Sequence, residues 1–242
     1  MDDLNIFGKQ GKNSVFSIYN HTSTRGGAIL LEEMFRYPLD NFESIKKRQD
    51  IIQYFYHKRT EFPFEGAVFD AVAYYLHNTD TRTRIDAHDD KLRKRFQRLM
   101  KTDTEFLMIH KSILGLIYII NTLHDFFEDI EDDERILPEM PEMEEVKNII
   151  SDERLRFVKE EQETKKLSLE KAGRYDNELR YASNKEMHKI LSFIYQLDIY
   201  ISLAHVAREK EFSFADVQPS DCNILKIDRL FHPLLADPVA NT

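Results

Sequence analysis

Apolar residues along this chain recur at three-and-four spacing far more often than they alternate. Ile29, Leu30, Met34 and Phe35 set the pattern, and it predicts a helix. Thr22, Ser23 and Thr24 precede it, with hydroxyls that can accept from the free N–H groups of a helix start. Gly26 and Gly27 occupy its first turn, where a glycine lets another chain segment come close. Pro38 ends it, because the residue before a proline is pushed out of the helical region. Asp40, with Glu43 as capping-box partner, opens a second helix. Phe42, Ile45, Ile52 and Phe55 form its apolar face.

The same period continues downstream. Pro63 breaks the chain, and Ala67 to Leu76 reads as a strongly apolar helix. Asn78 to Asp86 reads as a loop and Lys91 to Lys101 as a basic helix. Phe106 to Phe127 is the most apolar stretch. A helix hydrophobic nearly all round is buried on most sides, so this one is expected at the centre. An acidic run follows, Glu128 to Glu134, then a corner at Pro138 and Pro141. From Glu142 to Tyr181 the pattern is mostly polar, and Lys159 to Lys166 holds no apolar residue. That predicts either a helix projecting into solvent or a poorly ordered segment, with Gly173 as its break. Ser183 and Glu186 form a capping box before the last long helix. There Met187, Ile190, Ile194, Leu197, Ile201 and Ala204 form the seam of a helix packed along another. After Pro219, Asn223 to Ile227 alternates as a strand would. The expected fold is all-α with long antiparallel helices and a short β element at the C-terminal end.

Composition agrees. Glycine and proline number seven each in 242 residues, tryptophan is absent, and 32% of residues are charged, the profile of a helical protein rather than a sandwich or barrel. No unbroken run of about 18 apolar residues occurs, so no membrane span is expected. The start, MDDLNIFGKQ, lacks the basic-then-apolar order of a signal peptide. One cysteine, Cys222, excludes an internal disulfide and fits a reducing cytoplasm. The net charge of −9 argues against strong DNA binding by the chain as a whole, since phosphate contacts dominate such affinity.

Residue identities narrow the reading further. Thr22-x-Thr24-x-x-Gly27, then Leu30-Leu31, Pro38-Leu39 and Ile45-x-x-Arg48 resemble the opening of the core (lever) domain of the MutS family. These are ATP-dependent DNA mismatch-recognition proteins and their relatives. The string DLNIF…GKNSVFSIYNHT resembles the family's lead-in to that domain. One departure is Ile29, which stands where many members carry a basic residue, so no DNA or partner contact is carried over there. At the other end, Phe231-His232-Pro233-Leu234 and Val239-Ala240-Asn241 resemble the opening of the family's ATPase domain. The resemblance implies an entry segment over 1–20, a helical core over 21–218 and the beginning of the ATPase domain over 219–242. The family's Phe-x-Glu wedge domain is expected to be missing from these residues. Its β-rich clamp is expected to be absent or reduced, because nothing between Pro138 and Ser183 alternates as strands do.

The implied role is a relay: helices Phe106–Phe127 and Met187–Arg208 pass ATP-driven movement of the ATPase heads to DNA or a partner. No P-loop occurs in these residues, so no hydrolysis is expected of this chain. ATP and Mg are expected in the parent protein, as is a homodimer formed through the ATPase domain. Val239, Ala240 and Asn241 then mark the edge of an adenine pocket by resemblance. Lys91, Lys94, Arg95 and Arg98 share one helix face; it either tracks a phosphate backbone or is a solvated face balanced by Asp86, Asp89 and Asp90. Lys46, Lys47 and Arg48 are the next basic group. His124 and Glu128 lie one turn apart, but a catalytic zinc needs about three protein ligands. The alternative is a helical protein-interaction scaffold that does not bind DNA.

Overall fold

The computed structural model describes residues 5–8, 14–85, 104–131, 138, 140, 142–222, 224–227 and 231–234. All regular structure among them is helical: α1 (Val15–Tyr19), α2 (Arg25–Arg36), α3 (Phe42–Lys58), α4 (Ala67–His77), α5 (Thr104–Glu131), α6 (Met143–Ile150), α7 (Phe157–Glu160), α8 (Leu169–Asp176) and α9 (Asn184–Glu209). A π-helical stretch, Asn177–Ala182, joins α8 towards α9. The chain forms two compact units, residues 1–62, 137–140 and 195–242, and residues 63–136 and 141–194.

In the first unit, Thr24 caps α2 as its hydroxyl accepts from Gly27 N–H. The cap of α3 is Asn41, whose side chain accepts from Ser44 N–H, rather than the expected Asp40. Asn41 is one residue nearer the first helical turn, where a carbonyl oxygen reaches the third N–H. The α3 helix stops at Arg59, in the left-handed region at φ 59°. Leu31, Ile51, Phe55, Leu197, Ile199, Ala204 and Val206 are buried. Aromatic rings extend this core: Phe16 meets Phe35 edge-on at 5.6 Å, and Tyr19 lies 5.8 Å from Phe212. In the last turn of α9 Arg208 donates to Tyr56 C=O, and beyond the helix Ala215 C=O accepts from Gln49.

The second unit is built on α4 against α5. Gly115 makes their close approach possible: a Cβ there would meet Val68 Cγ2 at 2.7 Å and Val72 Cγ2 at 3.0 Å. Ile113, Leu116, Ile119, Ile120 and Leu123 of α5 are all buried, as an all-round apolar helix requires. By length and composition α5 and α9 would each pass for a membrane span, but 67% and 72% of their most apolar stretches are buried inside the fold. Their apolar surface is therefore largely used as core.

Two expectations are corrected. The polar stretch Lys159 to Lys166 is not a projecting helix: α7 ends at Glu160, and although Lys159, Glu160, Gln162, Glu163, Lys165 and Lys166 are exposed, the stretch is anchored by one buried carboxylate. Glu161 is 3% exposed; its carboxylate accepts from Thr164 Oγ1 and Lys171 Nζ, both at 2.6 Å, and from Tyr175 O–H at 2.8 Å. Tyr175 stacks on Phe157 at 4.0 Å, and Leu167 N–H donates to His110 Nε2. A fully partnered carboxylate can be buried where a bare one cannot, so Glu161 is buried in a stretch that is otherwise largely exposed. Gly173 is buried inside α8, and after α8 begins the chain first departs from α-helix at Asn177–Ala182. Between Pro138 and Ser183 the described residues hold short helices and no strand.

The second correction is the β element. Ile224 to Ile227 is not a strand, and Ile224, Leu225 and Ile227 are 68%, 86% and 54% exposed. A strand needs a neighbour to take its N–H and C=O groups, and the described residues offer none.

Candidate functional site

Of the residues that carried the resemblance, Thr24 and Gly27 meet α9 in the first unit. Thr24 stands at the start of α2, and Asp198 sits in the second half of α9. Asp198 is 1% exposed and Thr24 is 2% exposed. Asp198 Oδ1 accepts from Ser23 N–H at 2.9 Å. Its Oδ2 accepts from Thr24 N–H at 2.8 Å and from Thr24 Oγ1–H at 2.7 Å. The Thr24 hydroxyl in turn accepts from Gly27 N–H at 2.9 Å. One carboxylate thus ties the entry of α2 to α9, and the N-cap hydroxyl relays it to the first turn. Its charge lies at the positive end of α2, where an anion is favoured.

Both glycines of the motif are explained by α9. A Cβ on Gly27 would lie 2.6 Å from Asp198 Oδ2 and 2.9 Å from Thr24 Oγ1. A Cβ on Gly26 would lie 2.3 Å from the Tyr195 ring. Any side chain at either position pushes α2 away from α9 or displaces those groups. Burial pushes the Asp198 carboxyl above the usual carboxylate range, opposed by the donors from Ser23 and Thr24. The arrangement offers no reactive atom to solvent; it is a mechanical joint.

The family model for MutS domain III matches residues 1–204. The chain belongs to the MutS domain III family. Searches of curated proteins and of solved structures gave no match. This MutS-like core domain is helical, as the family implies, and its Thr-x-Thr-x-x-Gly signature is the joint just described.

The other predicted site residues fall differently. Lys91, Lys94, Arg95 and Arg98 lie outside the described residues, as do Val239, Ala240 and Asn241. Of the reserve basic group, Lys46 pairs with Asp50 at 2.8 Å, while Lys47 and Arg48 are half-buried. Ile29 is 53% exposed on α2, so the departing residue lies at the surface. Within the acidic run, Glu131 is paired with Lys147 at 2.6 Å. Among the described residues no three His, Cys, Asp or Glu side chains gather as a metal site requires. Cys222 is free and exposed.

Sequence reasoning missed Asp198. Its signal was present: one acidic residue set between Leu197 and Ile199, in a helix otherwise apolar there. A carboxylate in such a row must find donors. It also missed Asp176 and Arg180 of the second unit, an ion pair at 2.7 Å with neither side chain exposed. Their i, i+4 spacing looks the same as that of any surface pair.

Proposed function

We propose that this chain is the lever-bearing core of a MutS-like DNA repair or recombination ATPase. In this reading residues 21–218 form the core, and ATP with Mg binds in an ATPase domain that begins near residue 219. Dimerisation runs through that domain, and the protein works in the cytoplasm. Movement of the ATPase heads passes along α5 and α9 to DNA or a partner. The observation that carries the reading is the MutS domain III match over residues 1–204. The helices suit a relay: α5 has 28 residues and α9 has 26, so they are about 42 and 39 Å long at about 1.5 Å per residue. The Asp198 joint couples the start of α2 to α9, so a displacement of α9 there carries α2 with it. Coupling of this kind needs stiff elements with two arrangements, not catalytic side chains.

The net charge of −9 favours a second reading, a helical scaffold that binds proteins and not DNA. Two measurements separate them. The coding sequence beyond Thr242 is expected to encode a Gly-x-x-x-x-Gly-Lys-Ser/Thr loop; a stop codon there supports the scaffold. Salt titrations on matched and mismatched duplexes are expected to show weak binding without mismatch preference. About four phosphate contacts from Lys91, Lys94, Arg95 and Arg98 give a log–log salt slope of about −3.6. Arg95→Glu with Arg98→Glu should abolish it. No binding at low salt supports the scaffold, and tight mismatch-selective binding overturns both readings.

A further inference from the structure

The second unit holds a cavity of about 280 Å³ between α4, the N-terminal half of α5 and Arg180. Its size is close to the lower end of small-ligand sites, about 300–1,000 Å³, which limits an occupant to one ring and a small substituent. Tyr74 and Met108 line it and are 64% and 41% exposed. They leave an aromatic face and a thioether open at its rim. Tyr75 and Ile109 also line it, and both are buried.

The polar end is built around Arg180, which has no exposed surface. Its Nη1 donates to Asn78 C=O and Thr83 Oγ1, and its Nη2 to Thr83 C=O and Asp176 Oδ2. A guanidinium carries five N–H donors, and the fifth, on Nε, is buried without a partner. Leaving such a donor unmade is costly. The site has a donor to offer but little net charge. Asp176 neutralises Arg180 at 2.7 Å, and Tyr75 O–H donates to the same carboxylate at 3.0 Å. Burial and the Asp176 charge push the Tyr75 phenol far above its usual range, so it stays neutral. A ligand carboxylate would enter a buried site with no unbalanced cation, whereas a neutral carbonyl would meet no such penalty. Ser112 also lines the cavity. Its hydroxyl donates to Ala71 C=O at 3.2 Å, which leaves its oxygen free to accept. The π-helical stretch that carries Arg180 is a geometry frequent at functional sites.

We propose that this cavity binds a neutral aromatic carboxamide. The ring lies against Tyr74, Tyr75 and Met108, the carbonyl accepts from Arg180 Nε–H, and the amide NH2 donates to Ser112 Oγ.

Benzamide is the probe, titrated into the full chain and followed by NMR at the Arg180 Nε–H group and the Met108 methyl. A saturable downfield shift of the Nε proton, moving together with the methyl, is expected. Benzoate should bind about tenfold more weakly or worse, because its charge is unpaired in the site. Tyr74→Ala removes an exposed wall without touching the buried pair, and should weaken benzamide severalfold. Tyr74→Trp should keep binding and report it by fluorescence, since the chain has no other tryptophan. The proposal is overturned if the Nε proton does not shift saturably, if benzoate binds as well as benzamide, or if Tyr74→Ala leaves the affinity unchanged.

Discussion

Removing the carboxylate of Asp198 tests whether one side chain holds the start of α2 on α9. The Asp198→Asn substitution keeps shape and one acceptor. The remaining oxygen can serve the two donors that Oδ2 now serves, Thr24 N–H and Thr24 Oγ1–H. The new amide then points N–H groups at Ser23 N–H, the donor that Oδ1 now accepts. One charge-assisted bond is lost, worth about 1.5–3 kcal/mol, and one donor is left unmade. The expected cost is about 2–3 kcal/mol. Asp198→Ala leaves all three donors without their acceptor and should cost about 3–5 kcal/mol, at about 1–3 kcal/mol for each buried donor left unmade. Thr24→Val keeps shape and removes the hydroxyl that accepts from Gly27 N–H; an N-cap loss of about 1–2 kcal/mol is expected.

The assay is native-state hydrogen exchange at Ser23, Thr24 and Gly27, run beside urea unfolding. Exchange isolates the local opening of α2, which global unfolding of a two-unit chain would blur. In Asp198→Asn all three amides should exchange faster. Because Thr24 and Asp198 share a bond, the double substitution should cost less than the sum of the singles by about 0.5 kcal/mol or more. Strict additivity, or an Asp198→Asn cost under about 0.5 kcal/mol, would refute the joint.

Three further outcomes follow from the same geometry. Gly27→Ala should destabilise by about 1–3 kcal/mol, although alanine is the better helix former by about 1 kcal/mol, because its Cβ would lie 2.6 Å from Asp198 Oδ2; a more stable Gly27→Ala protein in urea would contradict this. Burial pushes the Glu161 carboxyl up, but donors from Lys171, Thr164 and Tyr175 outweigh it and hold the value at about 2, below the ordinary 4.5. Its contribution, about 2–3 kcal/mol after discounting the half-exposed Lys171, is complete above pH 4.5 and lost as pH falls towards 2, so Glu161→Gln should flatten acid unfolding in that window. Gly115→Ala should cost about 1 kcal/mol or more by forcing α4 off α5, and adding Val68→Ala should return part of the loss in the same urea assay, since Val68 Cγ2 is the nearest atom at 2.7 Å.

How much of this was legible depends on how far apart in sequence the partners lie. Thr24 as an N-cap and Pro38 as a stop are local rules, and they held because their partners are Gly27 and the preceding turn. The glycines could be read as a close approach, but not as an approach to Tyr195 and Asp198, some 170 residues away in the chain. The apolar seam of α9 was legible in full: Met187, Ile190, Ile194, Leu197, Ile201 and Ala204 are all buried. Within the polar segment the buried Glu161 was missed, because a three- and four-residue period was applied to apolar faces only. Glu161 is held by Thr164, Lys171 and Tyr175, largely polar partners that a search for apolar positions passes over.

Asp198 and Glu161 show what separates the two kinds of buried carboxylate in this protein. Glu161 is held by donors close to it in sequence, including the cation of Lys171, and Lys171, Thr164 and Tyr175 together outweigh the cost of burial, so its carboxyl is depressed. Asp198 is held by donors that no cation supplies, two backbone N–H groups and a hydroxyl, and its carboxyl is raised. A raised carboxyl is one whose ionised form the fold does not favour over water. Asp198 therefore does not add stability through its charge, and a buried apolar side chain there with a self-capped α2 could fold as well. What the carboxylate adds is specificity. The acceptor at residue 198 serves the two N–H groups before α2, which favours this seating of α2 on α9 over its neighbours. That is the property a relay needs, because a contact that slips transmits no displacement.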